Sequence, residues 1–462
     1  MDNNYLIKEK EGKLLLKFSI PCILSLLIAA LYNIVDQIFI GNAKNVGAIG
    51  NTATTIVYPL TVICLAFGLM FGDGAASLMS LESGKGEGAK NHKIVGNSIL
   101  CGIIVSIVLL LICFPLLTPI LKFFGARDQE SLDFSLQYGQ IILIGVPFAI
   151  IMTLINSIIR ADGSPQIAMI SMVLGAIINI VLDGLLINNA NLGIRGAALA
   201  TIIGQFASFI VSIIYLIRPK TFKLKLKSFK PHFEIITKFS KLGFSSLLTQ
   251  LAIVVLTIVA MNAIGQYGAS SKYGVSEPQA IFGIVTKLFA IIINISVGIA
   301  AGSQPLVGYN FGAGEYKRVK KFLTLIVVSN IIIGLLSTLL LQLFPSQIIS
   351  IFGTNTKNPD LYLEFGVKAI RIYLMLITLT LLGKVTAIYL QSSNSPLKAA
   401  FLSLLRDIIT VVPAMFILPI SLGLDGVLWA APVADIITSI VTITFIILEY
   451  KKLNKLIKEK NL

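Results

Sequence analysis

The chain has 462 residues, 56% of them hydrophobic and 13% charged, and its mean hydropathy is +0.89. So much apolar surface excludes an ordinary soluble domain, because too little polar surface exists to cover it. The formal net charge of +15 suggests nucleic acid, but no basic-aromatic module is present and the basic residues gather between alternate apolar runs, which argues against that partner.

Twelve apolar runs of about 20 residues or more follow one another, each long enough to cross a bilayer as a helix. The first, 14–40, follows Lys8, Lys10, Lys13 and Lys17, contains Pro21, and carries Tyr32, Asn33, Asp36 and Gln37 near its far end. The second, 48–80, contains Pro59 and a small-residue stretch, Gly68, Gly72, Gly74, Ala75 and Ala76, with Asp73 among the glycines. Small residues of this kind allow close helix contact. Asp73 reads as a structural or gating residue. A basic loop with Lys85, Lys90 and Lys93 leads to runs at 94–121 and 133–159. The latter holds Pro147, Phe148 and Met152.

Runs five and six, 166–188 and 194–217, bring Asn179 and Asp183. The polar, lysine-rich stretch from Arg218 to Lys238 then joins two halves. The seventh and eighth runs are 236–264 and 278–310. Glu277 opens the eighth, with Phe282, Lys287, Phe289, Pro305 and Tyr309 inside or beside it. Runs at 322–345, 366–390, 397–420 and 424–449 complete the chain and carry Lys384, Arg406, Asp407, Pro413, Pro432 and Asp435. The second and eighth runs are long enough to tilt, bend or extend beyond a membrane. The prolines remove backbone donors and bend their helices.

The basic loops alternate with loops that hold only scattered charges such as Lys44, Arg127, Lys272 and Lys357. This positive-inside pattern places both termini in the cytoplasm, with basic loops against lipid headgroups. The first span is expected to be retained and not cleaved as a leader. Cys22, Cys64, Cys101 and Cys113 show no ligand spacing and read as apolar packers, while His92 and His232 fall in basic loops.

The chain is written twice. Lys17-Phe18-Ser19 recurs as Lys238-Phe239-Ser240, Phe124-Gly125 as Phe352-Gly353, and Gly163-Ser164-Pro165 as Asn394-Ser395-Pro396. Leu192-Gly193-Ile194-Arg195-Gly196 recurs as Leu422-Gly423-Leu424-Asp425-Gly426. Six spans per half return the chain to its starting side, so the halves share one orientation about an axis along the membrane normal. The expected fold is therefore all-α: twelve transmembrane helices in two six-helix bundles related by pseudo-twofold symmetry. Residues 1–217 form one lobe, 218–237 the connector and 238–462 the other lobe.

Asp36 and Asp183 break the repeat. Each lies four residues before its run ends, on spans of the same direction, with an amide one turn away: Asn33 and Asn179. Their counterparts in the second half are near Thr257 and Pro413, which carry no charge. A buried Asp costs about 2.5–3.5 kcal/mol at mid-span. Two such acids without a cation point to a cage for a proton or a dehydrated small cation such as Na+, and acids hydrogen-bonded for packing are the alternative. Glu277 reads as a mouth residue for cationic substrates or as an N-terminal helix charge. Tyr32, Gln37, Met152, Phe148, Phe282, Phe289 and Tyr309 are candidate cavity-lining residues. Arg406 and Asp435 are expected to form a structural ion pair. No metalloprotease, serine-hydrolase or Walker A motif is present, so neither an enzyme nor an ATPase is indicated.

Asn33-Ile34-Val35-Asp36-Gln37-Ile38-Phe39-Ile40-Gly41 and Ala301-Gly302-Ser303-Gln304-Pro305-Leu306-Val307-Gly308-Tyr309-Asn310-Phe311-Gly312-Ala313 resemble the multidrug and toxic compound extrusion (MATE) family. So does Asp183-Gly184-Leu185 followed by Gly193-Ile194-Arg195-Gly196-Ala197-Ala198. The resemblance implies a V-shaped pair of bundles, a monomer without cofactor in a bacterial inner membrane, and export of cationic amphipathic drugs in exchange for H+ or Na+. It assigns Asp36 and Asp183 to cation coupling, and associates the acid near Glu277 with the other lobe. Span ten departs from one branch of the family by carrying Lys384 where that branch has a carboxylate. A lipid-linked sugar flippase of related architecture is the alternative.

Overall fold

The computed structural model describes residues 5–43, 46–126, 128–351 and 359–460. Lys44, Arg127, Lys357 and the Phe352-Gly353 element of the repeat lie outside the described residues. Among the described residues the structure is helical, with no strand. The first six spans are α1 (Glu11–Asn42), α2 (Gly47–Gly84), α3 (Asn91–Cys113), α4 (Gln129–Ala161), α5 (Pro165–Asp183, followed by a π-helical turn at Gly184–Asn189) and α6 (Gly193–Ile217). The second six begin with α7 (Phe233–Ala269), α8 (Ser276–Gly312) and α9 (Tyr316–Leu343). Next comes α10, whose segments Pro359–Tyr373 and Ile377–Ser392 are bent by 48°. Last are α11 (Pro396–Leu422), which is π-helical over Leu405–Val411, and α12 (Leu424–Lys460). Twelve spans bring both ends of the chain to one side, called the terminal side below.

The sequence repeat is a repeat of backbone turns. Gly163 and Asn394 both take left-handed dihedrals, φ +78° and +59°, which glycine and asparagine tolerate best. Pro165 and Pro396 then open α5 and α11, where a missing N–H costs nothing. Gly193 and Gly423 form the second such pair, at φ +54° and +58°.

Two apolar cores are shared between the bundles and two are not. Leu14, Leu15 and Phe18 of α1 lie in a core built from α8 to α12 residues such as Leu306, Phe322, Tyr389 and Leu453. Reciprocally, Phe239 and Leu242 of α7 lie in a core built from α2 to α6 residues such as Phe71, Val95 and Ile158. Each bundle thus lends the other the first turns of its leading helix. Toward the far side the cores separate, one holding only first-half residues and the other only second-half residues. Two bodies fused at one end and parted at the other make a V with its cleft on the far side.

Glycines make the fused end possible. A Cβ on Gly243 of α7 would lie 1.7 Å from the Met70 carbonyl oxygen of α2, and one on Gly74 would lie 2.1 Å from the Phe239 carbonyl oxygen. Gly84 and Gly312 exclude side chains in the same way between α2 and α8. In the α1–α8 crossing, Cβ atoms on Gly298 and Gly302 would lie 2.7 and 2.6 Å from the Cα atoms of Ile23 and Ser19. Polar contacts bridge the same level. Asp73 accepts from Ser246 at 3.0 Å and from Ser157 at 2.8 Å, and Gln304 donates to Ser77 at 2.9 Å. The connector docks beside them. Buried Asp162 accepts from Tyr215 at 2.5 Å, from the Lys220 and Thr221 amides at 2.6 and 3.0 Å, and from the Thr221 hydroxyl.

Gly243→Ala forces α2 and α7 apart and is expected to cost about 1–3 kcal/mol, seen as a melting temperature several degrees below wild type. Gly283→Ala is the control, because a Cβ there meets nothing within 4 Å. Equal melting of both variants would show that the close approach does not hold the bundles together.

Candidate functional site

The site begins with the way α5 is held. Ser171 donates to the Ser208 carbonyl and Ser208 to the Ser171 carbonyl, both at 2.8 Å. Cβ atoms on Gly175 and Gly204 would each lie 2.6 Å from the other's carbonyl oxygen. This reciprocal clamp seats α5 flush on α6 and leaves another face for α1. Asp183 ends the regular helix, at the junction with the π-helical turn. Such turns commonly mark functional positions.

The carboxyls of Asp36 and Asp183 meet within hydrogen-bonding reach of each other. Asp36 is 8% exposed and Asp183 is fully buried. Asn179, 2% exposed, lies one turn before Asp183. Asp36 Oδ1, both Asp183 oxygens and both polar atoms of the Asn179 amide have no hydrogen-bond partner. Buried polar atoms are ordinarily satisfied, so this cluster is a set of donors and acceptors held open. Tyr32 and Tyr138 lie within electrostatic range of the two acids. Two carboxyls in contact repel unless a proton or a cation lies between them.

Asn33 is exposed; its amide donates to the Ala29 carbonyl of its own helix at 2.8 Å and lies within hydrogen-bonding reach of Tyr32. Sequence spacing put it one turn from Asp36, but the rotation of α1 that buries Asp36 turns Asn33 outward. Tyr138 joins from α4, where nothing in the sequence singled it out.

The proposed cavity-lining residues scatter. Phe148 packs edge-on to Phe206 and Phe209, with centroids 5.0 and 5.4 Å away. Phe282 is buried in the second-half core against Tyr373, at 5.2 Å. Phe148 is half-buried in that aromatic group, whereas Phe282 is enclosed in the core. Gln37, Met152 and Glu277 are half-buried, with Glu277 in the first turn of α8.

The second bundle holds a different arrangement. Arg406 donates to Asp435 at 2.7 Å and to Asp407 at 2.8 Å, and Lys384 reaches Asp407 at 2.5 Å. Thr380 adds a bond to Asp435 at 2.7 Å. Two cations thus meet two acids, all in or beside the π-helical stretch of α11. Arg406 also covers the Phe289 ring at 5.3 Å. The expected pairing of Arg406 with Asp435 is present, and it belongs to a larger neutral network. Its charges are balanced by one another, although Asp435 Oδ2 has no hydrogen-bond partner, whereas the acids of the first bundle have no cation partner among the described residues.

The MatE family model matches residues 21–185 and 246–417, one stretch in each half. The Multidrug export protein MepA of Staphylococcus aureus (strain MRSA252) is 26% identical over 434 residues, covering 93% of this chain and 92% of its own length. The protein of the same name from Staphylococcus saprophyticus is 25% identical over 447 residues, covering 96% and 95%. The solved outward-facing structure of a multidrug resistance MATE family transporter superposes with a TM-score of 0.88 at 22% identity, over 99% of both chains.

Removing one member of a buried ion network leaves its partner uncompensated, at about 3–5 kcal/mol. Asp435→Asn is therefore expected to lower the yield of monodisperse protein and its melting temperature more than Asp36→Asn does. Size-exclusion profiles from matched expressions measure this. A well-folded Asp435→Asn protein beside a misfolded Asp36→Asn protein would reverse the assignment.

Proposed function

This chain belongs to the MatE family, a family of transporters and not of enzymes, and on that premise we propose that it is a multidrug efflux antiporter, exporting cationic amphipathic compounds in exchange for H+ or Na+. The observation that supports this reading most strongly is the cation-free pair of Asp36 and Asp183, with the open Asn179 amide beside it. Direct contact between two carboxyls favours a shared proton. The basic loops favour a cytoplasmic terminal side, which opens the cleft outward. Residues 1–217 and 238–462 are the two rocking bodies, 218–237 tethers them, and a single chain surrounded by lipid is the working unit.

In this scheme an ion arriving from outside enters between the two acids and removes their repulsion, drawing α1 toward α5. The same helix crosses α8 at Ser19 and Ile23, so its movement reaches the contact between the bundles. Ion binding thereby favours one packing of the bundles over the other, and substrate binding in the cleft favours the opposite one. One charge crossing 100 mV supplies about 2.3 kcal/mol, enough to bias that equilibrium about fiftyfold.

A lipid-linked sugar flippase is the second reading. It calls for several free cations facing the cleft to hold phosphates. Lys384 and Arg406 are instead neutralised by Asp407 and Asp435, which weighs against it.

Ethidium efflux from proteoliposomes under an imposed pH or Na+ gradient tests the proposal. Wild type should respond to one of the gradients. Asp36→Asn and Asp183→Asn should each lose gradient-driven efflux by at least about tenfold while melting normally. Unchanged gradient-driven efflux in both variants would defeat the assignment.

A further inference from the structure

Lys287 has no assigned part in this scheme. It lies in α8, ten residues inward from Glu277, or about 15 Å along the helix. It is half-buried. Among the described residues it has no acid partner, whereas Lys384 and Arg406, deep in the same bundle, both hold acids. An unpaired cation at such depth is expensive in hydrocarbon and is expected to face water or a ligand.

Its direction follows from the helix. Ile281, Phe282, Val285 and Ile292 mark the side of α8 that enters the second-half core. Lys287 is on the opposite side, at the spacing of Asn294, Gly298 and Gly302. That stripe faces α1: Asn294 donates to the Leu26 carbonyl at 3.4 Å, and Gly298 and Gly302 abut Ile23 and Ser19. Lys287 stands seven residues beyond Asn294, and on α1 the exposed Asn33 stands seven residues beyond Leu26. Each is about 10 Å past the crossing, where the bundles have parted. Lys287 and Asn33 therefore lie at one height on facing walls of the cleft.

We propose that Lys287, with Asn33 opposite, receives an anionic group on an amphipathic ligand in the cleft, so that zwitterions bearing one carboxylate or phosphate are preferred ligands. The proposal deepens the efflux reading and rests on it for transport. One free ammonium matches one anionic group, donating charge-assisted hydrogen bonds that a neutral analogue cannot accept. Asn33 supplies an exposed amide on the other wall, where it also bonds the Ala29 carbonyl and reaches Tyr32.

Equilibrium binding to purified full-length protein in non-ionic detergent, read by fluorescence anisotropy without any gradient, tests this independently of the coupling ion. The probes are rhodamine B, a zwitterion with a free carboxylate, and its ethyl ester. Wild type should prefer the acid. Lys287→Gln should weaken acid binding about tenfold and leave the ester within about twofold, and Lys287→Arg should keep the preference. Displacement of the ester by dihexanoyl phosphatidylcholine, a zwitterion with one phosphate, and by dihexanoylglycerol, which lacks the headgroup, separates the sources of the anion. Lys287-dependent preference for the member of either pair that bears the carboxylate or phosphate supports the proposal, the rhodamine pair pointing to a drug-like ligand and the lipid pair to a headgroup. Equal loss of both members, or no change in either pair, overturns it.

Discussion

The reciprocal exchange of Phe18 and Phe239 is the contact from which the rest of the architecture follows. Phe18 is 1% exposed and Phe239 fully buried, each inside the core of the other bundle. Neither bundle completes its terminal-side core alone, so the two are joined at that end by apolar burial. The glycine contacts between α2 and α7 make the joint close, bringing backbone against backbone where interior packing leaves little slack. The far ends have separate cores, with no apolar core shared between the bundles there among the described residues. A joint of this kind gives discrete packings more readily than continuous bending, as alternating access requires.

On this symmetric frame the charges are not symmetric. The second bundle neutralises its own: Arg406 and Lys384 are matched by Asp407 and Asp435. Within that network each charge depends on the others, and exchange with the solution would break a charge-balanced set. The first bundle does the opposite. Its two acids lie within hydrogen-bonding reach of each other, and Asp36 Oδ1, both Asp183 oxygens and the adjacent amide have no hydrogen-bond partner among the described residues. A charge-balanced network supports a packed core, while acids without a counter-charge suit an exchangeable ion. That difference distinguishes the two clusters more sharply than the number of acids, which is two in each.

The bundle architecture was legible in the sequence because the repeat records backbone geometry. Gly163 and Asn394 had to be residues that tolerate left-handed dihedrals, and Pro165 and Pro396 mark helix starts, so matching turns left matching letters. Asp36 and Asp183 stood out for a related reason, since an acid in an apolar run has few structural excuses. The exposure of Asn33 was not legible, because spacing alone does not fix how far a helix is rotated about its axis. The burial of Phe282 was not legible either, because an aromatic ring packs in a core as readily as it lines a cavity. Tyr138 and the meeting of Gly243 with Met70 were invisible, because each depends on a partner distant in the chain that no local pattern names.

One helix connects these features. Along α1, Phe18 enters the second-half core, Ser19 and Ile23 cross α8, and Asp36 meets Asp183 of α5. Pro21 interrupts its hydrogen bonding between the buried Phe18 and the crossing at Ile23, and Ser25 back-bonds to the Pro21 carbonyl at 2.7 Å. A proline at this point allows the outer part of α1 to swing while the inner part stays seated. Under the proposed function, neutralising the acids would change what the outer part prefers to touch, and the crossing with α8 is where that preference would meet the second bundle. No chain of intermediate residues would then be needed to link ion and cleft, because both would act on the same helix. Coupling by this route is also reciprocal: any ligand that parts α1 from α8 in the cleft must alter the affinity of the acid pair by the same factor.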